Sequence, residues 1–244
     1  MAEILQQDTD GDVVTFTIDN SGDGNRLSDE VVIDLTRRVN EVSGDARAIV
    51  FRTAGDDFCL GRATMGRGGP GGPPPEALDM KGGFDVVFDA YAAFRDSPAP
   101  VVCAVQGGAY GLGCALAALG DITIASDRAD FQVPEMQHNI MPTMVMSALI
   151  DRLPRKASMY LTYSTDKIDA ATAQAFGIVQ KIVPHAELGD AVDALIAQMK
   201  SEPVVAVRAV KEFASNAYGR DMASAVAFAK NIHAVINSSS KMRE

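Results

Sequence analysis

Two short stretches of the chain carry the residue types that could perform chemistry. The first is the glycine-rich turn at residues 106–114, which follows an apolar run and continues into an Ala/Leu-rich segment. Glycines at the start of a helix leave backbone N–H groups open to an anionic ligand. The second is the carboxylate of Glu135, directly after Pro134, whose fixed φ restricts its neighbour. Together these stretches predict an oxyanion-binding site with a base beside it.

The elements that must position these residues are predicted to form a parallel sheet. Val13–Ile18 alternates and is β-branched, which is typical of a strand. Ser28 is a typical N-cap of the helix that follows, and residues 47–52 form the next strand. A strand, a helix and a strand at this spacing predict a βαβ unit. The turns at residues 57–63 and 106–114 then lie at one edge of the sheet, where α/β folds bind ligands.

Helices dominate the second half of the chain. Residues 77–96 also have helical periodicity, and the apolar side chains predicted to face the core there are Met80, Phe84, Val87, Phe88, Tyr91 and Phe94. Further helices are predicted at residues 143–153, 155–162, 169–176, 187–200, 204–218 and 222–237, with a strand-like run at 178–183. We therefore predict an α/β core at residues 1–190 and a C-terminal helical region at residues 191–244.

The charge and composition of the chain argue against several classes of binding partner. The chain has 244 residues and a formal charge of -10, which argues against nucleic acid or an anionic membrane as partner. No apolar run reaches the about 18 residues of a membrane span, and the first residues lack a signal-peptide pattern. The three cysteines lie in apolar or glycine-rich settings, and no spacing predicts a metal site. These features predict a reduced, cytoplasmic protein in which Cys114 is a small buried residue.

Three segments together resemble the crotonase (enoyl-CoA hydratase/isomerase) superfamily in order, spacing and glycine pattern. They are PVVCAVQGGAYGLGC at residues 100–114, DITIAS at residues 121–126 and FQVPE at residues 131–135. The resemblance covers most of the chain. It implies an α/β fold in which a spiral of ββα turns is followed by a helical trimerisation region. It also implies an acyl-CoA substrate, no permanently bound cofactor, and a homotrimer or a dimer of trimers.

The resemblance assigns roles to three residues of the predicted site. In this family, two backbone N–H groups bind the thioester oxygen, and by position these belong to Arg62 and Leu112. Hydratases of the family use two carboxylates, of which this chain keeps Glu135 and has Ala115 at the other position. Members with a single carboxylate are frequently isomerases, in which one Glu moves a proton between two carbons. The favoured function is therefore double-bond isomerisation of an enoyl-CoA.

The resemblance also implies a larger set of residues that contact the substrate or its CoA moiety. They are Arg26, Leu27, Leu60, Gly61, Ala63, Gly108, Gly111, Pro134, His138 and Pro142. The sequence allows three interpretations of the Arg62 guanidinium: it contacts a substrate carboxylate, it contacts a CoA phosphate, or it is exposed to solvent. His138 either influences Glu135 or is a plain loop residue. Lys211 and Lys230 are predicted to be solvated lysines on helix faces, with a contribution of charge to CoA from a neighbouring subunit as the alternative.

Two further functions remain open from the sequence. One is hydration of an enoyl-CoA or hydrolysis of a CoA thioester or diketone, with His138 or Arg62 in place of the missing acid. The other is a non-catalytic acyl-CoA-binding subunit, which the absent carboxylate at Ala115 favours. Residues 65–75 are almost entirely Gly, Pro and Arg and are predicted to be mobile, either as an idle insertion or as a flap over the acyl end of the substrate.

Overall fold

The computed structural model describes residues 3–63, 76 and 83–243, which form nine strands and nine α-helices. The strands are β1 (Leu5–Asp10), β2 (Val13–Ile18), β3 (Ala48–Thr53), β4 (Val101–Val105), β5 (Ala109–Tyr110), β6 (Ile122–Ser126), β7 (Asp130–Gln132), β8 (Ile168–Asp169) and β9 (Lys181–Val183). The helices are α1 (Asp29–Ser43), α2 (Asp85–Asp96), α3 (Leu112–Leu119), α4 (Thr143–Leu149), α5 (Arg155–Ser164), α6 (Ala170–Phe176), α7 (Leu188–Lys200), α8 (Val204–Ala217) and α9 (Met222–Ser238).

The main sheet has six strands in the order β1-β2-β3-β4-β6-β9. All neighbouring strands are parallel except β1 and β2. The βαβ unit predicted at the start is confirmed: β2 and β3 pair in parallel through α1, and the hydroxyl of Ser28 caps this helix by accepting from the N–H of Val31. A smaller sheet, β5-β7-β8, lies beside the glycine turn.

The central strands of the main sheet bury alternate residues on its two faces. On one face, Phe51 of β3 packs edge-on against Phe58 and Phe94, at centroid distances of 5.6 and 5.4 Å. On the other face, Val50 and its neighbours pack against the apolar side of α7. A parallel sheet covered on both faces explains why β3 and β4 are almost continuously apolar. The mixed α/β fold predicted from the sequence is confirmed.

The ends of several elements differ from the sequence prediction. The helix expected at residues 143–153 is α4 and ends at Leu149, and the strand-like run at residues 178–183 contains only β9. Phe88, predicted to face the core, is 40% exposed on α2. Met80 and residues 65–75 lie outside the described residues. The domain boundary at residue 190 stays a prediction, and that residue lies within α7.

The prediction of a solvated Lys211 is wrong. This residue of α8 is 5% exposed, and its ammonium donates to Asp121 Oδ2 at 2.7 Å and to the Phe94 carbonyl at 3.0 Å. Asp121 also accepts from the N–H of Val101 at 2.7 Å. The buried ion pair therefore fixes α8 to the end of α2 and to the start of β4. Lys230 on α9 is exposed, as predicted.

Membrane-spanning helices and metal-binding clusters were both sought in the described part of the chain. Within residues 3–63, 76 and 83–243, no helix is long and apolar enough to cross a membrane. The same part of the chain contains no cluster of His, Cys, Asp or Glu that could hold a metal ion. Burial raises the pKa of the Cys114 thiol to about 12, so the thiol stays neutral and packs as a small buried residue, as predicted.

Candidate active site

Three backbone segments lie side by side beyond the carboxyl ends of β3 and β4. The N–H of Cys59 donates to the Gly108 carbonyl at 2.9 Å, and the N–H of Tyr110 donates to the Cys59 carbonyl at 2.9 Å. Residues 59–63 are called the Cys59 segment. On the other side of this segment, Arg62 pairs with Leu27 in a parallel bridge. The two turns predicted to meet at one edge of the sheet do so.

Two backbone amides at this meeting point are available to a ligand. Leu27 donates to the Gly61 carbonyl and accepts from the Ala63 N–H, so the N–H of Arg62 points to the opposite side, toward the glycine turn. The N–H of Leu112 is the first of α3, where the leading N–H groups have no partner within the helix. Neither amide has an acceptor among the described residues. These are the two amides to which the family resemblance assigns the role of oxyanion donors.

The Glu135 side chain lies against the start of the same helix. The N–H of Gly111 donates to the Gln132 carbonyl at 3.0 Å, which holds β7 next to α3. Glu135 then opens the short 3₁₀ helix Glu135–His138. A Cβ on Gly111 would lie 2.9 Å from Glu135 Oε1, and Gly111 has a φ of +51°, so space and backbone both favour glycine there.

The environment of Glu135 suits a base. Burial raises the pKa of its carboxyl group above the ordinary value of 4.5. Its Oε2 atom is buried and has no hydrogen-bond partner within the described part of the chain. A carboxylate that is desolvated and unpaired binds a proton more readily than one at the surface. The arrangement can therefore accept a proton beside two free N–H donors.

The Arg62 side chain is engaged within the protein, so the interpretation that it is exposed to solvent is wrong. Its Nε and one terminal nitrogen donate to the two carboxylate oxygens of Asp29, both at 2.7 Å. This bidentate pair joins the segment that carries Arg62 to the first turn of α1 and lowers the pKa of Asp29. The sequence did not indicate Asp29 as a site residue. An acidic residue in the first turn of a helix is already explained by its favourable interaction with the helix dipole.

Two buried amide side chains support the segment that carries Arg62. Asn25 is fully buried and donates to the carbonyls of Ala54 and Asp57, both at 2.7 Å. Gln106 donates to the Asp57 carbonyl at 2.8 Å and to the Thr53 hydroxyl at 2.8 Å. The loop between β3 and Cys59 is thereby fixed by side chains from both neighbouring turns. In the sequence, this supporting role was indicated only by the positions of Asn25 and Gln106 next to glycines.

The residues predicted to contact CoA fall into two groups. Leu27, Gly61 and Ala63 belong to the paired segments, and Leu60 lies between Gly24 and Gly108. Arg26 is partly exposed beside them and donates to the carbonyl of Asp23 at 3.2 Å. The structure brings this first group together.

The second group surrounds Glu135. Pro134 is the N-cap of its 3₁₀ helix, Pro142 is buried at the start of α4, and the side chain of His138 is exposed. Ala115 is completely buried in α3, one turn after Gly111. The position at which a hydratase would place its other acid is therefore closed and apolar.

Gly113 offers a test of how the two donor segments are held together. A Cβ there would lie 2.1 Å from the Cys59 carbonyl oxygen, so Gly113→Ala must push the Cys59 segment away from α3. We expect a loss of about 1–3 kcal/mol of unfolding free energy, measured by urea denaturation, together with reduced activity. Gly189→Ala on α7 meets nothing within 4 Å and is the control that should lose no stability. Equal stabilities of the two variants would contradict this account.

Comparisons with known proteins assign the chain to a family. The family model described as enoyl-CoA hydratase/isomerase matches residues 8–244. The 1,2-epoxyphenylacetyl-CoA isomerase of Escherichia coli (strain K12) is 26% identical over 222 residues, which are 89% of this chain and 84% of that protein.

Two solved structures share the fold over nearly the whole chain. An enoyl-CoA hydratase of Mycobacterium smegmatis superposes with a TM-score of 0.90 at 26% identity, covering 98% of this chain and 92% of that one. A putative enoyl-CoA hydratase of Thermobifida fusca YX, in complex with acetoacetyl-CoA, superposes with a TM-score of 0.83 at 26% identity, covering 95% and 94%. The chain belongs to the enoyl-CoA hydratase/isomerase family of enzymes, within the crotonase superfamily.

Proposed function

We propose that this protein is an enoyl-CoA isomerase that moves a double bond into conjugation with the thioester. The observation that carries the proposal is the Glu135 carboxylate beside the Arg62 and Leu112 amides. Its Oε2 atom is buried without a partner among the described residues, and Ala115 occupies the position of the other family acid. One base on one face suffices for a 1,3-shift, because the enolate is basic at both carbons.

In the proposed reaction, Glu135 removes one proton from carbon 2 and delivers one proton to carbon 4. The thioester oxygen accepts hydrogen bonds from the Arg62 and Leu112 amides, and ionised Glu135 removes a proton from carbon 2. The electron pair moves onto the oxygen, forming an enolate that the two amides stabilise. Protonated Glu135 exchanges its proton with solvent in part of the turnovers and then delivers a proton to carbon 4, the double bond forms between carbons 2 and 3, and the carboxylate is regenerated.

Support for the substrate class comes from the relatives. The Escherichia coli relative is named as an isomerase of a CoA ester, and the Thermobifida fusca structure contains acetoacetyl-CoA. We propose an acyl-CoA substrate for this chain as well, with the paired segments around Leu27 and Leu60 contacting CoA. Arg26, partly exposed at the rim, would contact a CoA phosphate, and Pro142 and His138 would border the acyl group.

Labelled water separates the proposal from its alternatives. With a 3-enoyl-CoA in deuterated water enriched in heavy oxygen, an isomerase incorporates deuterium on carbon and no oxygen. Heavy oxygen in a 3-hydroxyacyl product would establish hydration, and heavy oxygen in a free acid would establish hydrolysis. Binding of CoA esters without any product would favour the non-catalytic subunit. Mass spectrometry of the CoA-derived products distinguishes all four outcomes.

The raised pKa of Glu135 gives a pH prediction. Only the ionised form is a base, so kcat/KM should rise with pH below the raised pKa and level off above it. The midpoint should lie above 4.5, the ordinary value. For stability the sign is opposite: Glu135 favours the folded state fully at low pH, and that contribution is lost as the pH rises through the folded pKa. A profile of kcat/KM that stays flat down to the ordinary value would contradict a buried base.

The assembly is proposed from the C-terminal helices. Apolar side chains on α8 and α9 are exposed in the single chain, among them Val210, Met222 and Val235. Exposed apolar surface of this kind favours association. We propose a cytoplasmic homotrimer or a dimer of trimers, which size-exclusion chromatography with light scattering would test.

A further inference from the structure

The ion pair between Arg62 and Asp29 is a side-chain contact that the proposed reaction does not use. Arg62 Nε donates to Asp29 Oδ1 and a terminal nitrogen of Arg62 donates to Asp29 Oδ2, both at 2.7 Å. The Arg62 side chain is 19% exposed and the Asp29 side chain 37%. Two parallel hydrogen bonds between planar groups fix the orientation of a guanidinium in a way that one bond cannot. The pair therefore holds the Arg62 side chain in a single direction.

The peptide unit between Gly61 and Arg62 carries one of the two amides that the proposed mechanism assigns to the thioester oxygen. This unit is trans, so its C=O and N–H groups point in opposite directions. The Gly61 carbonyl accepts from the Leu27 N–H at 3.0 Å, and the Ala63 N–H donates to the Leu27 carbonyl at 2.8 Å. The Arg62 N–H consequently points away from Leu27.

These backbone bonds leave the tilt of the peptide unit undetermined. Both of them end on the single residue Leu27, so the segment can still turn about that residue. Gly61 has a φ of +112° and no side chain that would restrict such a turn. A hydrogen bond weakens steeply as its donor turns out of line with the acceptor. A further contact on Arg62 itself is needed to fix where its N–H points.

Asp29 supplies that contact from a rigid element. It is the first residue of α1, which the hydroxyl of Ser28 caps by accepting from the Val31 N–H. The helix is fixed to the core by buried apolar side chains on one face, namely Val32, Leu35 and Val39. Arg62 is thus held in two ways, through the backbone bonds of its neighbours to Leu27 and through its own side chain to Asp29.

We propose that Asp29 is a positioning residue of the candidate active site: by holding the Arg62 guanidinium, it fixes the tilt of the Gly61–Arg62 peptide unit so that the N–H of Arg62 points at the thioester oxygen. This inference rests on the proposed function, in which the Arg62 and Leu112 amides bind that oxygen. Asp29 acts only through Arg62 and does not contact the substrate. Alignment matters most when negative charge develops on the oxygen, so its loss lowers kcat more than it weakens substrate binding.

The kinetic test replaces the carboxylate of Asp29. Asparagine has the same size but presents one acceptor oxygen and no charge, so Asp29→Asn loses the bidentate contact. We expect kcat on a 3-enoyl-CoA to fall about 10-fold, since losing one oxyanion donor outright costs about 100- to 1000-fold. The dissociation constant for butyryl-CoA should change little. Glu30→Gln removes the other carboxylate in the first turn of α1, at an exposed position, and should keep the wild-type kcat.

The carbonyl stretch of a bound thioester reports the alignment of the amides directly. Hydrogen bonds to the oxygen weaken the C=O bond and lower its stretching frequency. Butyryl-CoA labelled with carbon-13 at the thioester carbonyl is bound to each protein, and infrared difference spectra locate its band. In the wild type and in Glu30→Gln the band should lie below that of free butyryl-CoA. In Asp29→Asn it should move back toward the free value, while matching thermal unfolding curves show that the variant is folded.

A double-mutant cycle shows whether Asp29 acts through Arg62. Arg62→Gln removes the guanidinium and leaves the backbone N–H in place, so its loss of kcat should be similar to that of Asp29→Asn. The variant with both changes should lose no more than either alone, because each breaks the same contact. Losses that multiply in the double variant would overturn the proposal. An Asp29→Asn variant with the wild-type kcat and band position would overturn it as well.

The infrared band also separates this inference from the proposed function. If Glu135→Gln retains proton exchange while Asp29→Asn shifts the band, the assignment of Glu135 as base fails and the role of Asp29 stands. If Glu135→Gln abolishes exchange while Asp29→Asn leaves the band in place, the isomerase proposal stands and the role of Asp29 fails. A wild-type band at the free value would contradict the binding of the thioester oxygen by the two amides, and both proposals would then fail.

Discussion

Glu135→Gln is expected to lower kcat on a 3-enoyl-CoA by about 100- to 10,000-fold, the usual contribution of a positioned general base. Glutamine keeps the shape of the side chain beside Gly111 but cannot take a proton. The amides of Arg62 and Leu112 are untouched, so the dissociation constant for CoA esters should change little. Steady-state kinetics and titration calorimetry on the same preparation measure the two quantities.

Stability should move in the opposite direction to activity. An ionised carboxylate that is buried without a partner disfavours the folded state, so Glu135→Gln should unfold at the same or a higher urea concentration than the wild type. Glu212→Gln, at an exposed position of α8, is the matched control and should change neither activity nor stability. A Glu135→Gln variant with normal turnover would remove the basis of the proposed mechanism.

Lys211→Met is expected to have the largest effect on stability, a loss of about 3–5 kcal/mol of unfolding free energy. The change leaves Asp121 without its cation and the carbonyl of Phe94 without its donor, in the interior between α8, α2 and β4. Urea denaturation at neutral pH measures the loss.

Two further variants define the origin of that loss. Lys230→Met, at an exposed position of α9, should stay within about 0.5 kcal/mol of the wild type. Adding Asp121→Asn to Lys211→Met should recover part of the stability, because the uncompensated charge is removed. If Lys211→Met were as stable as Lys230→Met, the buried ion pair would contribute nothing to holding α8.

Local sequence patterns were sufficient to predict the secondary structure that positions the site. The alternation in β2, the Ser28 cap of α1 and the glycine turn before α3 each have one short-range explanation, and the structure has all three. Parallel pairing through α1 then placed the two turns at one edge of the sheet. The resemblance pointed to Glu135 and to the Arg62 and Leu112 amides, and the structure brings their segments together at this edge.

The features that were missed depend on partners far away in the chain. Arg62 reaches Asp29 across 33 residues, and Lys211 reaches Asp121 across 90, so neither pair leaves a local pattern. Strand β1 escaped prediction because only Leu5 of its six residues is buried. Tyr91 was predicted as core from its helical spacing.

The central claim is that Glu135 removes a proton from carbon 2 of a thioester held by the Arg62 and Leu112 amides. The most direct test is deuterium uptake from deuterated buffer into a 3-enoyl-CoA, with wild type and Glu135→Gln compared side by side. Mass spectrometry reads the uptake, and the absorbance of the conjugated thioester reads the shift of the double bond. We predict uptake together with conjugation in the wild type and neither in the variant. Uptake at the same rate in both proteins would contradict the claim.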